Sequence, residues 1–378
     1  MITICFRKGG HPAYNEIFNY PPSGVKYKEI KFLKGAEGVN PPFLHKLKRK
    51  AHKIYKKLIG DVNLIPISCK EDIIYSCGGL MASSSKPWVT DAEHVSSLIN
   101  IEASRKTKLK TITHIKKSNC KILPWSNASL ESIKNFFGKE FYSIKNKFEV
   151  VYPAMHIEKL KKKKQSSEKI KFLYINRVFW GKCGYEVLEA FNRLAKKYDT
   201  ELIFVSNTPK HIEKKFRNVN IKFIHTPIPR RRVLELYKDA DVFVLPTLFD
   251  TFGFVYLEAM SYGLPIIATN VFAVPEIIQE NFNGLLVTPE YSLFSRNLLF
   301  KFSTQKLYEY AKTHPQKKLI NQLEDKMKIL IENTKERKTY GKRGRDLVEK
   351  GKFSISYRNK QLKRIYEELL KHTQPIPS

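Results

Sequence analysis

Cysteine is scarce and unpatterned in this chain of 378 residues: Cys5, Cys69, Cys77, Cys120 and Cys183 are scattered, and no Cys-x-x-Cys occurs. An odd, dispersed set argues against a disulfide framework and suits a reducing compartment. His11, His45, His52 and His114 have no ligand-like spacing either, so no metal site is expected. No run of about twenty uncharged apolar residues exists to cross a bilayer. The opening Ile2–Phe6 reads as a strand rather than the apolar core of an export signal. These absences make a cytoplasmic protein the expectation. Acid is scarce too: Asp plus Glu total 36 against 68 Lys plus Arg, a formal net charge of +32. That balance predicts attraction to nucleic acid, anionic lipid headgroups or phosphorylated substrates. Basic stripes interleaved with aromatics, the usual nucleic-acid signature, are not evident, and the charge runs along the whole chain. Nucleic acid is therefore not expected as a partner, and no internal repeat points to a solenoid.

What is present is globular. Hydrophobic residues make up 42% of the chain, enough for real cores, and the length suggests two domains. In the first part, short apolar runs at Ile2–Phe6, Asn63–Ile67, Ile73–Ser76, Trp88–Thr90, Lys121–Pro124 and Glu149–Tyr152 read as strands. Helical patterns lie at 43–59 and 129–137, and the charged stretch 158–169 reads as a linker. From residue 170 strand and helix patterns alternate regularly: "IKFLYIN", "GYEVLEAFNRLAKKY", "TELIFVSN", "RRVLELYKDA", "DVFVLP", "VYLEAMSYG" and "PIIATN" follow one another. Such alternation implies right-handed βαβ units, hence an α/β fold with a parallel sheet covered on both faces.

Ligands of open parallel sheets bind outside the carboxyl ends of the strands. "LPTLFDTFGFVYLEAMSYGLP", residues 245–265, runs from a strand into a helix at such an edge. Backbone N–H groups over Thr251, Phe252, Gly253 and Phe254 point a positive helix end outward, and Gly253 lets a ligand approach closely. Glu258 lies about one turn further in, where its carboxylate can accept from ribose hydroxyls; Asp250 can accept from a second set. A phosphate between two hydroxyl-bearing rings fits, which is a nucleotide sugar. The plain alternative is that Asp250 caps the helix and Glu258 is a solvated helix residue. Upstream, Arg177 and Lys182 stand in the turn that opens this domain, spaced to reach one diphosphate.

Taken together these segments resemble glycosyltransferase family 4, the group 1 glycosyltransferases. That family's pattern runs G-R-x4-K-G, E-x-F-G-x4-E-A-M-A-x-G-x-P, T-x-x-G-G-x-P-E and N-G-x-L-V. Here the chain reads N-R-x4-K-C-G, D-T-F-G-F-V-Y-L-E-A-M-S-Y-G-L-P, T-N-V-F-A-V-P-E and N-G-L-L-V. The resemblance covers roughly residues 149–370. It departs at Asp250, where the family usually has Glu, at Asn176 and Cys183 in place of glycines, and at Phe272 and Ala273 in place of a glycine pair.

The resemblance implies a GT-B fold, two Rossmann-like domains facing a central cleft. Residues 1–152 would bind the acceptor, with the helix over 354–371 packing back on them, and residues 153–353 the donor. It implies a retaining, metal-independent hexosyltransferase without a cofactor. Its co-substrate would be a UDP- or GDP-linked sugar, and its acceptor a glycan, lipid or lipid-linked sugar. Arg177, Lys182, Asp250 and His94 would carry the chemistry. Gly9 and Gly10 in "FRKGGHPAY" would join Arg177, Lys182, Asp250, Thr251, Phe252, Gly253, Phe254 and Glu258 at the donor. Asp91, Glu93 and His94 would lie on the acceptor side, with the register between Glu93 and His94 open. Their plain reading is an acidic helix start, and that of the glycine pair a surface turn. Two rivals remain: a nucleotide-sugar epimerase of the same architecture, and a non-enzymatic basic nucleic-acid-binding protein.

The helical pattern at 43–59 sets Phe43, Leu44, Leu47, Ala51, Ile54, Tyr55, Leu58 and Ile59 on one face. Lys46, Lys48, Arg49, Lys50, Lys53, Lys56 and Lys57 crowd the rest. An apolar stripe serves any domain helix, but this density of cations suits an anionic membrane surface at the inner face of the membrane.

Overall fold

The computed structural model describes residues 1–30, 63–157, 169–217 and 220–371. It divides into two compact units, one of Met1–Pro153 with the chain from Ser356 onward, the other Ala154–Ile355. The helical pattern at 43–59 and nearly all of the stretch 158–169 lie outside the described residues.

In the first unit the strands are β1 (Ile2–Arg7), β2 (Val25–Glu29), β4 (Ile73–Ser76), β6 (Trp88–Ala92) and β7 (Cys120–Pro124), with a separate pair β3 (Leu64–Pro66) and β5 (Met81–Ser83). Helices α1 (Pro12–Asn19), α2 (Val95–Leu98), α3 (Arg105–Lys117) and α4 (Asn127–Phe137) connect them. The sheet order is β2-β1-β4-β6-β7, all parallel. Its central strands are apolar runs because both faces are covered: Ile4, Phe6, Ile73, Ile74, Trp88 and Val89 are fully buried.

The last helix, α13 (Ile355–Lys371), completes this unit. It buries Arg358, Leu362, Ile365, Tyr366 and Leu369, one stripe at helical spacing. The Tyr366 and Tyr27 hydroxyls meet at 2.9 Å. Arg358 is buried, and no carboxylate pairs with it among the described residues. Its Nη2 donates to the carbonyls of Glu16 and Tyr20 at the end of α1, where unsatisfied acceptors and the negative helix end favour a cation.

The second unit carries β8 (Ile170–Ile175), α5 (Gly184–Leu194), β9 (Thr200–Val205), α6 (Lys210–Lys215), β10 (Ile221–Ile224), α7 (Arg230–Asp239), β11 (Val242–Leu245), α8 (Phe254–Ser261), β12 (Ile266–Thr269), α9 (Val274–Ile277) and β13 (Gly284–Val287). Helices α10 (Thr304–Thr313), α11 (Lys317–Glu332) and α12 (Thr334–Glu349) follow. The sheet order β10-β9-β8-β11-β12-β13 is again wholly parallel.

The structure differs from the sequence reading chiefly in the first unit. Glu149–Tyr152 forms no strand, although the Glu149 and Val151 N–H groups donate to the Ile122 and Pro124 carbonyls of β7. Helices α1 and α3 and strands β2 and β5 have no counterpart in that reading. Helix α3, RKTKLKTITHIKK, shows why: it buries only Thr111, Ile112 and Ile115, too few apolar residues for a visible stripe.

One buried acid ties α5 to α11. Glu186 is 4% exposed and its Oε1 accepts the Gln316 N–H at 3.2 Å. Burial pushes its carboxyl up to about 7, and the Glu290 charge adds to this. Its folded-state value lies above the unfolded one, so the folded chain holds the extra proton. The stability this contributes is full below about pH 4.5 and is lost as pH rises through about 7. Thermal unfolding between pH 5 and 8 is expected to show stability falling by about 2–3 kcal/mol from this group. Glu186→Gln, which keeps the acceptor, should remove most of that slope; an unchanged slope would assign it elsewhere.

Candidate active site

Strand order fixes where each sheet opens. In the second unit β8 is followed by β9 and β10 on one side and by β11, β12 and β13 on the other. The crevice of such a sheet lies at the carboxyl ends of the two strands where the order reverses, β8 and β11. The segment 176–182 leaves β8 there and the segment 246–253 leaves β11. Asn176 Oδ1 accepts the Val178 N–H at 2.9 Å, a side-chain-closed turn that sets up the following residues. Arg177 is exposed and has no hydrogen-bond or ion-pair partner among the described residues.

Lys182 is the opposite case, with its side chain 11% exposed. Its Nζ donates to Asp250 Oδ2 at 2.8 Å, Thr247 Oγ1 at 2.9 Å and the Phe249 carbonyl at 2.5 Å. Lysine has three N–H donors, and all are engaged. Asp250 thus binds Lys182, while its other oxygen accepts weakly from Phe252 N at 3.4 Å. Gly253 stands at the start of α8 with φ +88, the left-handed region, and a Cβ there would meet the Tyr256 ring at 2.4 Å. Thr251 and Phe254 flank this turn partly exposed, whereas the Phe252 ring is buried against Phe353. Gly181 likewise has Tyr308 where its Cβ would be.

Glu258 is not a solvated helix residue. Its side chain is 15% exposed, Arg230 Nη1 pairs with Oε1 at 2.7 Å, and the Tyr237 hydroxyl donates to Oε2 at 3.2 Å. Thr247, Arg230, Tyr237 and Tyr308 belong to the site but are missing from the sequence reading. Arg230 and Tyr308 lie outside the quoted segments, Thr247 and Tyr237 lie inside them without an assigned role, and only strand pairing and helix packing bring the four in.

Two of the departures from the family pattern keep a glycine-like backbone. Cys183 and Phe272 hold φ of +51 and +50, a conformation that costs a non-glycine residue about 1–2 kcal/mol. Phe272 gains in return: its ring stacks on Phe294 at 4.4 Å and 17°, within a cluster that includes Phe249 and Phe300.

In the first unit the reversal falls between β1 and β4. Gly9 and Gly10 follow β1. A Cβ on Gly9 would strike the Tyr14 ring at 2.5 Å, so this glycine makes room for Tyr14, whereas Gly10 faces open space. Gly78 and Gly79 follow β4 with φ +76 each. That second pair, after the strand-like Ile73–Ser76, is a turn signal the sequence reading passed over. Asp91, at the end of β6, is buried. Its Oδ1 accepts from Gly78 N at 2.8 Å and its Oδ2 from Trp125 Nε1 at 2.7 Å, and the Tyr14 hydroxyl bonds to it. Burial raises the Asp91 carboxyl to about 6 despite these donors, with Glu93 adding repulsion. Asp91 therefore organises the Gly78 turn, Tyr14 and Trp125. His11 lies beside them, its ring 5.0 Å from Trp125. His94 is 1% exposed and caps α2, its Nδ1 accepting from Ser96 N at 3.1 Å; Glu93, partly exposed, precedes it.

Two acidic or thiol groupings bear on metal. An Asp-x-Asp triplet, Asp239-Ala240-Asp241, is present in the sequence, but it stands at the amino start of β11, away from the crevice. There Asp241 accepts from Lys171 N at 2.9 Å and Asp239 pairs with Lys171 Nζ at 3.0 Å. Cys5, Cys69 and Glu71 do come together in the first unit, contrary to the scattered reading of the cysteines. Lys28 pairs with Glu71 at 3.1 Å, and burial holds the Cys5 thiol well above its usual range, so this trio is a poor cation site.

Residues 156–318 match the family model described as glycosyl transferases group 1. Among curated proteins the chain is similar to N-acetyl-alpha-D-glucosaminyl L-malate synthase of Bacillus anthracis, 29% identical over 42% of this chain and 40% of that protein. The chain spans less than half the length of the curated relatives it matches. Sucrose-phosphate synthase of Thermosynechococcus elongatus superposes with a TM-score of 0.63 at 14% identity, covering 98% of this chain and 100% of that one. HepE of Anabaena, solved in complex with UDP, superposes with a TM-score of 0.57 at 14% identity, covering 97% and 100%.

Proposed function

We propose that this chain, which matches the group 1 glycosyl transferases through residues 156–318 on a GT-B fold, transfers a hexose from a nucleoside-diphosphate sugar. The observation that carries the reading is the β8/β11 crevice, where unpaired Arg177, the Lys182–Asp250 pair and Glu258 meet one strand-to-helix turn. Arg177 and the start of α8 offer positive charge to the diphosphate that leaves. Lys182 joins them by exchanging one of its protein acceptors for a phosphate oxygen. Glu258, already oriented by Arg230 and Tyr237, keeps lone pairs for ribose hydroxyls. Asp250 faces the sugar hydroxyls, one methylene shorter than glutamate. The cofactor-free, metal-independent and retaining character belongs to this proposal, as do UDP or GDP as the carried nucleotide. UDP is supported by the solved neighbour that binds it.

The acceptor is a sugar, a lipid or a lipid-linked glycan, and its contacts lie on the first unit around Glu93, His94 and His11. Net charge of +32 supports an acceptor reached at an anionic membrane surface from the cytoplasmic side. No helix among the described residues is long and apolar enough to cross a membrane.

A thermal-shift panel of nucleoside diphosphates tests the donor half directly, since a ligand of the folded state raises its stability. Glu258→Ala is expected to weaken binding of the stabilising nucleotide about ten- to hundredfold, the loss of hydrogen bonds to a charged group. Stability should change by under about 1 kcal/mol, because the Arg230 partner is largely exposed. Equal affinity in the variant would remove Glu258 from the donor site.

A further inference from the structure

Helix α3 carries Arg105, Lys106, Lys108, Lys110, Lys116 and Lys117 and no carboxylate. Elsewhere cations find acids: Lys215 pairs with Glu189, Lys326 with Glu280, and Arg364 with Glu149 and Glu368. Arg105, Lys106, Lys110 and Lys117 have no hydrogen-bond or ion-pair partner among the described residues. Like charges one helical turn apart repel, so this face is held at a cost that an anion would relieve.

The cations line a cavity of about 1090 Å³ that they share with the hydroxyls of Ser83–Ser85, and no acidic side chain lines it. A second cavity, of about 310 Å³, is mixed in character: Ala103, Ile112, Phe136 and Phe137 share its wall with the charged Arg105, Lys108 and Glu140. Arg105 and Leu109 line both cavities. Leu109 is 44% exposed, an apolar side chain set among cations on the outward face of the helix.

A soluble phosphate would use the basic cavity and leave the exposed Leu109 without purpose. A single-stranded nucleic acid would want aromatic platforms, and no Phe, Tyr or Trp lines the basic cavity. A molecule with phosphate at one end and hydrocarbon at the other uses both. We propose that α3 and Ser83–Ser85 form a docking site for the phosphate headgroups of an anionic bilayer, with Leu109 entering the hydrocarbon boundary. This places the anionic surface of the proposed function on a named face, and its test is independent of sugar transfer.

The experiment is flotation of the full chain with phosphatidylcholine vesicles, with and without phosphatidylglycerol, at about 0.1 M salt. Wild type should float only with the anionic vesicles. The triple variant Lys106→Glu, Lys110→Glu, Lys117→Glu should lose about a hundredfold in partitioning, from about 1 kcal/mol per cation. A control triple in the second unit, Lys196→Glu, Lys197→Glu, Lys210→Glu, makes the same change in net charge at exposed positions and should lose far less. Leu109→Ser, which removes hydrocarbon without adding charge, should also reduce flotation. Equal losses in both triples would mean general attraction and overturn the proposal. So would full flotation of Leu109→Ser, which would leave only a soluble-phosphate site. Wild-type chain that floats with anionic vesicles but binds neither UDP nor GDP would speak against the transferase reading and not against this one.

Discussion

Lys182→Met is expected to reduce sugar transfer by about two to three powers of ten, the loss seen when one preorganised electrostatic contact to a developing charge is removed. The same change should lower stability by about 3 kcal/mol, because Asp250 is left partly buried without its cation. These effects separate in the double variant Lys182→Met, Asp250→Asn. Neutralising the orphaned carboxylate should restore most of the stability, whereas transfer should stay lost. Single-turnover rates with a nucleoside-diphosphate sugar, beside urea unfolding of each variant, make the comparison. Transfer within about fivefold of wild type in Lys182→Met would reduce this lysine to a structural brace for the turn over Thr247–Asp250.

Arg177→Ala should cost transfer a similar factor with almost no change in stability, since the side chain is exposed and unpaired among the described residues. The asymmetry with Lys182 follows from their partners: one ammonium is committed to protein acceptors, while the other cation is left for ligand. Arg177→Lys should recover charge but not the two-pronged geometry of guanidinium on a diphosphate, and so should regain only part of the rate. Binding of the acceptor should be unaffected. If Arg177→Ala transfers at the wild-type rate, the diphosphate lies elsewhere in the crevice.

Much of the second unit was legible in the sequence. Its strands are short apolar runs between helices with clear stripes, and its site motifs are contiguous: a strand-to-helix turn encodes a glycine, a carboxylate and a helix start within a few residues. The first unit was harder, because α3 carries mostly Lys and Thr and buries too little apolar surface to show a period, and β2 is a short strand with only Val25 and Tyr27 turned inward. The alternation of strand and helix, the parallel sheets that this alternation demands, and the residues of the turns at 176–182 and 246–258 can be read along the chain. Which of them meet depends on how the strands and helices are arranged in space. Lys182 reaches Asp250 and Thr247 across more than sixty residues because β8 pairs with β11. Glu258 gains Arg230 and Tyr237 because α7 packs beside α8, and Asp91 joins Gly78 to Trp125 because β4, β6 and β7 are neighbours. Side-chain chemistry is written locally, but a partner far along the chain is supplied by strand order, and the periodicity of a single segment does not encode that order.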